Sequence, residues 1–172
     1  SFIGGGVVLN NSIFDGSHGN AGAFGSLPAR KPDGSEGQLL DVASLNLLEI
    51  AIIEAGMTPD VLWTQPQDWS GFPDLLDAWI YRASIELARA AMTVCSVIDF
   101  GAVLIDGAFP AGVRRRLIKG VQDEIATLDS RGLVIPIVGA GRVGGNARAI
   151  GAACGPVFSQ FLLNTHSGFS GG

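Results

Sequence analysis

Glycines and carboxylates are the residues best placed to do chemistry in this sequence. Gly139-Ala140-Gly141-Arg142-Val143-Gly144 follows an apolar run and precedes a helix-like stretch. Glycines at that spacing let a backbone approach a pyrophosphate at a helix N-terminus. A dinucleotide fingerprint also needs a second parallel strand and an acidic residue about 20 residues further on. After that helix-like stretch only a Gly/Ser-rich segment remains, with no strand and no carboxylate, so a glycine-rich strand-to-helix turn is preferred to a dinucleotide module. Gly4-Gly5-Gly6 lies against a strand, where backbone N–H groups could meet a phosphate. Asp15, Asp33, Asp41 and Asp106 are candidate carboxylates. Each also suits a turn or a helix start, where Asp serves the backbone. His18 and His166 are far apart, and no HExxH, GxSxG, Walker A or CxxC pattern occurs. Cys95 and Cys154 have no partner at metal-ligand spacing and read as buried, reduced thiols. No residue is assigned a catalytic role.

The elements that must position these residues follow from periodicity. Residues 2–16 predict a β-hairpin, with Val7, Val8 and Leu9 before an Asn10-Asn11 turn and Ile13-Phe14 after it. A long loop region over 15–37 is rich in Gly, Ser and Asn, with a short strand expected at Phe24–Ala29. Leu39, Val42, Leu45, Leu48, Ile52 and Ile53 predict a helix over 38–55, stopped by Gly56. Residues 57–73 hold three prolines, Trp63, Trp69 and Phe72, and read as a surface connection. A helix from about Asp74 carries Leu76, Trp79, Ile80, Ala83, Leu87, Ala91, Val94 and Ile98 on a wide face, so it is expected to be buried on more than one side. Then come a short buried strand at 101–105, a helix from about Pro110 to Leu128, an edge strand at 133–138 containing Pro136, and a last helix from Asn146 to Leu163. This order predicts a mixed α/β domain over 1–163 and a disordered tail over 164–172.

Composition narrows the function classes. A chain of 172 residues with 47% apolar and 16% charged residues can build a real core. Its net charge of −5 argues against gripping DNA by itself, and Arg114-Arg115-Arg116 reads as a solvated helix face. No uncharged apolar run approaches about 18 residues, so no membrane span is expected. The abrupt start at Ser1-Phe2-Ile3-Gly4-Gly5-Gly6 suggests a fragment.

Taken together, these segments resemble the second half of a ROK protein (repressor, open reading frame, kinase). Ile3-Gly4-Gly5-Gly6-Val7-Val8-Leu9 resembles the family's second phosphate-binding segment. Gly16-Ser17-His18-Gly19-Asn20-Ala21-Gly22-Ala23-Phe24-Gly25-Ser26 resembles its Gly, His-Gly, Gly-Glu-x-Gly-His stretch. In that alignment the sugar-binding Glu falls on Ala23, and the His that binds zinc falls on Ser26. Lys31 to Ser44 resembles the family's Cys-x-Cys-Gly-x-x-Gly-Cys-Leu-Glu-x-x-Ala-Ser. Both glycines, the leucine and the final Ala-Ser match. The three zinc cysteines fall on Lys31, Asp33 and Gln38, and a second sugar-contacting Glu falls on Leu40. Asp106-Gly107 takes the place of a Gly-Gly pair beside the nucleotide, and Ala149-Ile150-Gly151-Ala152-Ala153 resembles the Ile-Gly-Ala-Ala that opens the last helix.

The resemblance implies one lobe, the C-terminal one, of the actin-like, ribonuclease-H-like ATPase fold, a mixed sheet with flanking helices. It implies ligand-pocket positions at Asn20, Ala23, Ser26 and Leu40, and nucleotide-phosphate positions at Gly4, Gly5, Gly6, Asp106 and Gly107. A carboxylate-to-hydroxyl bond is worth roughly 1.5–3 kcal/mol, so Ala23 and Leu40 in place of two carboxylates imply two to four decades less affinity for a hexose. With all four zinc ligands replaced, no metal is expected, and ATP is not expected as a cofactor. The reading that follows is the sensor and dimerisation lobe of a cytoplasmic ROK-type transcriptional regulator. Its partners would be a second copy, the N-terminal lobe of the same chain, a sugar-like effector, and DNA only through an upstream helix-turn-helix. The alternative is a lobe of an atypical ROK sugar kinase.

Overall fold

A computed structural model describes residues 2–144. The predicted last helix, the tail, Cys154, His166 and the 149–153 segment lie outside the described residues. The first hairpin pairs β1 (Val7–Leu9) with β2 (Ser12–Phe14), antiparallel, with Val7 opposite Phe14. Asn10 and Asn11 both take positive φ, 52° and 61°, as a two-residue turn of this hand requires. A 3-10 turn at Phe24–Ser26 then leads to a second hairpin, β3 (Pro28–Arg30) with β4 (Glu36–Gln38). The strand expected at Phe24–Ala29 is thus displaced. Its first half is a tight turn, and pairing starts only at Pro28.

The predicted 38–55 helix is two helices, α1 (Leu39–Ala43) and α2 (Asn46–Glu54). The break is at Ser44, whose ψ of 151° is extended. Two hydrogen bonds hold the break. Ser44 Oγ accepts the Ile3 N–H at 3.1 Å, and the Ser44 carbonyl accepts the Trp79 indole N–H at 3.0 Å. Ser44 is fully buried, so both polar groups need these partners. Gly56 ends α2 at φ 77°, as expected.

Residues 57–73 are not the surface connection that their prolines and polar residues suggest. Leu62, Trp69 and Phe72 are buried in the main core, while Met57, Trp63 and most of the polar residues and prolines stay exposed. Burying the aromatic area of Trp69 and Phe72 is worth several kcal/mol to the fold and offsets part of the cost of ordering the segment. Helix α3 (Pro73–Ile98) starts on Pro73 and ends at Asp99 in the left-handed conformation. Leu76, Trp79, Ile80 and Ala83 pack on α1, α2 and the 57–73 segment. Ala88, Ala91, Met92 and Cys95 are buried further along, the first three in a second cluster with Val121, Ile125 and Val138. The helix is buried on more than one side, although Val97 and Ile98 at its end are exposed.

The last part is a parallel unit: β5 (Ala102–Ile105), α4 (Ala111–Thr127) and β6 (Ile137–Ala140). Ala102 stands opposite Ile137 and Ile105 opposite Ala140. Strand β5 is not buried throughout. Val103 and Ile105 pack inward while Ala102 and Leu104 face out. Strand β6 begins after Pro136, not at 133, because proline cannot donate to a ladder. Gly139-Ala140 therefore belongs to a strand rather than to a turn. Among the described residues the strands form three separate pairs, two antiparallel and one parallel, rather than one mixed sheet. No described helix is long and apolar enough to cross a membrane.

Candidate functional site

The parallel unit brings its strand ends together at Asp106, the first residue after β5. Its carboxylate accepts the N–H groups of Gly107 at 2.9 Å, Val143 at 2.8 Å and Gly144 at 2.8 Å. Arg114, from the first turn of α4, lies 3.3 Å from the same carboxylate and donates to the Gly141 carbonyl at 3.0 Å. The guanidinium also stands 5.9 Å from the Phe109 ring centre. Partial burial is the largest single influence on this carboxyl and pushes its pKa up. The three N–H donors and Arg114 together outweigh it and hold the pKa below the ordinary aspartate value. Gly141 is needed here. A Cβ at that position would come within 2.5–2.7 Å of the Asp106 side chain.

Arg114 thus departs from its two neighbours. It is not part of a solvated basic face but a tether between α4 and the 141–144 turn. Arg115 and Arg116 are exposed, and Arg116 pairs with Asp77. The charge run had hidden this role; a basic residue four positions after Pro110 carries no sequence signal for it.

Gly4, Gly5 and Gly6 meet Asp106 and Gly107 across one cleft of about 420 Å³. The structure therefore gathers all five positions that the resemblance assigns to nucleotide phosphates. Gly5 passes so close to Phe24 and the Gly22 carbonyl that a Cβ would overlap them. Gly22, at φ 86°, would meet the Gly6 backbone in the same way, so this crossing is built for glycine. The remaining lining is apolar, including Val8, Leu27, Leu39, Leu87, Ala90 and Val94. Its one carboxylate, Asp106, is already engaged.

The four ligand-pocket positions lie beside this cleft, not in it. Ala23, Ser26 and Leu40 cluster around the Phe24–Ser26 turn, where Gly25 packs against the Ile3 carbonyl and the Leu40 side chain. Asn20 joins them through its carbonyl, which accepts the Ala23 N–H at 3.1 Å. Ala23 and Ser26 are exposed and Leu40 is half-buried. The group offers an amide and a hydroxyl but no carboxylate.

Lys31 and Asp33 occupy the β3–β4 turn, which closes on itself. The Lys31 N–H donates to Ser35 O at 2.9 Å, and Asp33 Oδ1 accepts the Ser35 N–H at 2.9 Å and its hydroxyl at 2.6 Å. These bonds from Ser35, led by the hydroxyl, hold the Asp33 pKa below its usual value. Gln38 lies at the start of α1, where its N–H donates to Asp41 Oδ2 at 2.9 Å. Asp41 thus has a helix-start role, as one of its two readings held. Among the described residues, no three His, Cys, Asp or Glu gather as a metal site would need. Cys95 is buried, and burial pushes its thiol pKa up, which makes it a poor nucleophile.

No protein-family model matches the chain. The uncharacterized protein y4fQ of Sinorhizobium fredii is 29% identical over 164 residues, which is 93% of this chain and 39% of that protein. Among solved structures, a ROK family protein from Streptococcus pneumoniae in complex with sucrose matches 92% of the chain with TM-score 0.69 and 22% identity. The ROK hexokinase of Thermus thermophilus matches 88% with TM-score 0.59 and 25% identity. A ROK family glucokinase from Streptomyces griseus in complex with glucose and AMPPNP matches 89% with TM-score 0.64 and 18% identity. The fold is accordingly a mixed α/β one of the actin-like ATPase class. Within that class it is the fold of ROK-family proteins, as the sequence resemblance implied, and the chain is a fragment of it. The chain spans 52–56% of the length of these solved structures.

Proposed function

We propose that this chain is the sensor and dimerisation lobe of a cytoplasmic ROK-type transcriptional regulator, whose DNA-reading part lies elsewhere in the parent polypeptide. One observation carries the reading. Around the Phe24–Ser26 turn and the start of α1, the positions that align with hexose-binding carboxylates hold Ala23 and Leu40. Without a charged acceptor there, hexose hydroxyls lose their strongest partners. The amide of Asn20 and the hydroxyl of Ser26 suit an effector with fewer or differently placed hydroxyls. The engaged state of Asp106 also counts against ATP, since the Gly107 N–H and the Arg114 guanidinium at this strand end are already turned on its carboxylate.

The test is made on the parent polypeptide. A coupled assay with ATP and glucose, N-acetylglucosamine or N-acetylmannosamine is expected to give no turnover above background. The same protein is expected to bind duplex DNA with an affinity that falls steeply with salt. Turnover that disappears when an upstream catalytic Asp is mutated would replace the regulator by an atypical sugar kinase. Light scattering of the 172-residue chain by itself, across a concentration series, is expected to give a mass above the 17.8 kDa of one copy. A constant 17.8 kDa would remove the dimer from the proposal.

A further inference from the structure

The turn at Phe24–Ser26 and the Asp106 carboxylate are joined by one unbroken series of contacts. Gly25 packs on the Leu40 side chain and so close to the Ile3 carbonyl that a Cβ would overlap it. The Ile3 N–H donates to Ser44 Oγ at 3.1 Å, and the Ser44 carbonyl accepts the Trp79 indole N–H at 3.0 Å. The Trp79 ring packs on Phe109, 6.4 Å between centres and tilted by 58°. Phe109 in turn touches two of the groups that hold Asp106. Its ring lies 5.9 Å from the Arg114 guanidinium and against Gly107, where a Cβ would overlap it. Gly107 and Arg114 both face the Asp106 carboxylate, which also takes the Val143 and Gly144 N–H groups at 2.8 Å.

We propose that these contacts form a relay in which Trp79 is the positioning residue, coupling the Phe24–Ser26 turn to the Asp106 anchor of the 141–144 turn. The middle of the relay is stiff. Ser44 is fully buried and Trp79 is 5% exposed, so a displaced indole N–H or Ser44 carbonyl would go unpaired in the core. Close-packed interiors pass a displacement on rather than absorb it. The far end has somewhere to go. The side chains of Asp106 and Arg114 are 24% and 20% exposed, so a released carboxylate and its donors would meet water. The anchor therefore has a closed state and an open one, and the buried links bias the choice between them.

The direction follows from the crowding at Gly25. A ligand that holds the Phe24–Ser26 turn in place keeps Ile3 on Ser44 and the anchor closed. A ligand that drives the turn into Ile3 opens the anchor and frees the 141–144 turn, which leads from β6 into the rest of the chain. Use of the relay by an effector rests on the sensor reading. The contacts themselves lie within this chain and hold whether the parent is a regulator or a kinase.

Amide hydrogen exchange on the parent polypeptide tests the relay without any effector. Gly25→Ala drives a methyl into the Ile3 carbonyl. It is expected to speed exchange of the Val143 and Gly144 amides at least about threefold, while Ile137, bonded to the Gly101 carbonyl, stays as in wild type. Leu40→Ala disturbs the same turn from its other side and serves if Gly25→Ala does not fold. Trp79→Phe keeps a ring beside Phe109 but removes the N–H that Ser44 accepts. In that background Gly25→Ala is expected to change Val143 and Gly144 no further. Coupling is reciprocal, so Asp106→Ala is expected to speed the Ile3 amide. Three outcomes overturn the relay: unchanged Val143 and Gly144 amides in the turn variants, an equal rise at Ile137, or the same response with and without Trp79. Failure of the sensor reading shows instead as ATP-dependent turnover of a sugar and leaves these exchange rates as they are.

Discussion

The Asp106 carboxylate accepts the Gly144 N–H at 2.8 Å, linking the C-terminal ends of two parallel strands across 38 residues of sequence. The same carboxylate takes two further N–H groups and faces Arg114. In open α/β sheets that crevice, outside the carboxyl ends of the strands, is where ligands bind. Here an internal anion occupies it.

Replacing Asp106 by Ala should destabilise the chain by about 2–3 kcal/mol, since three N–H groups and a guanidinium lose a charged partner together. Denaturant unfolding with a check of the circular dichroism spectrum measures this. The pH dependence has a definite sign. A carboxyl whose folded pKa is depressed stabilises above its unfolded pKa, and the contribution is lost as pH falls through the folded value. The gap between wild type and Asp106→Ala should therefore be constant above about pH 5 and shrink below about pH 4. A gap that widens in acid would mean that Asp106 is not held ionised by its neighbours.

Gly141→Ala should act through the same carboxylate. Its Cβ would come within 2.5–2.7 Å of Asp106, so the carboxylate must leave its donors. The expected cost is about 1–3 kcal/mol, as for overpacking elsewhere. In an Asp106→Gly background the cost should largely vanish, because all the clashing atoms, the Asp106 Cβ at 2.5 Å included, are gone. Additive losses in the double mutant would place the strain elsewhere.

The sequence made some of this legible and hid the rest for identifiable reasons. The Asn10-Asn11 turn and the Gly56 stop are local backbone chemistry and stand where they were read, and α3 starts on Pro73, one residue before the expected Asp74. The wide apolar face of α3 was also visible. The Ser44 break was not, because its cause is Trp79, 35 residues away. Trp69 and Phe72 lie among prolines and polar residues, and only the tertiary packing shows that they belong to the core. Asp106 could be placed at a strand end but not given its partners, since Val143 and Gly144 come from a turn on another strand. Of the candidate site, the five glycine and aspartate positions met in one cleft, while Arg114 was missed inside a charge run.

Ser44→Ala should cost about 1–2 kcal/mol by leaving the Ile3 N–H without its acceptor. Trp79→Phe should cost about 2–4 kcal/mol, from lost core volume and an orphaned Ser44 carbonyl. Thermal unfolding monitored by circular dichroism checks both. If Ser44→Ala instead raises stability, residues 38–55 prefer a continuous helix and the break is not held by these bonds.

Zinc should neither copurify with the chain nor stabilise it. Asp33 is spent on Ser35, and Lys31 and Gln38 are not zinc ligands. A ligand that binds only the folded state raises its melting temperature, so a zinc titration read by thermal shift should be flat. Elemental analysis giving about one zinc per chain would overturn this.

The crossing of α3 and α4 supplies a last pair of expectations with opposite signs. A Cβ on Gly120 would overlap the Ser84 hydroxyl, and Ser84 Oγ is buried with no hydrogen-bond partner. Ser84→Ala removes an unsatisfied polar atom from a buried site and should leave stability unchanged or raise it by up to about 1 kcal/mol. Gly120→Ala gains roughly 0.5–1 kcal/mol of helix propensity, but it drives a methyl into α3. Overpacking of this kind costs about 1–3 kcal/mol, so the net effect should be a loss. Combining Gly120→Ala with Ser84→Gly opens room for the methyl and should recover much of that loss, apart from the cost of a glycine inside α3. Urea unfolding of the three variants decides the matter. A Gly120→Ala protein more stable than wild type would show that the two helices can separate without cost, and that the glycine is not what sets their approach.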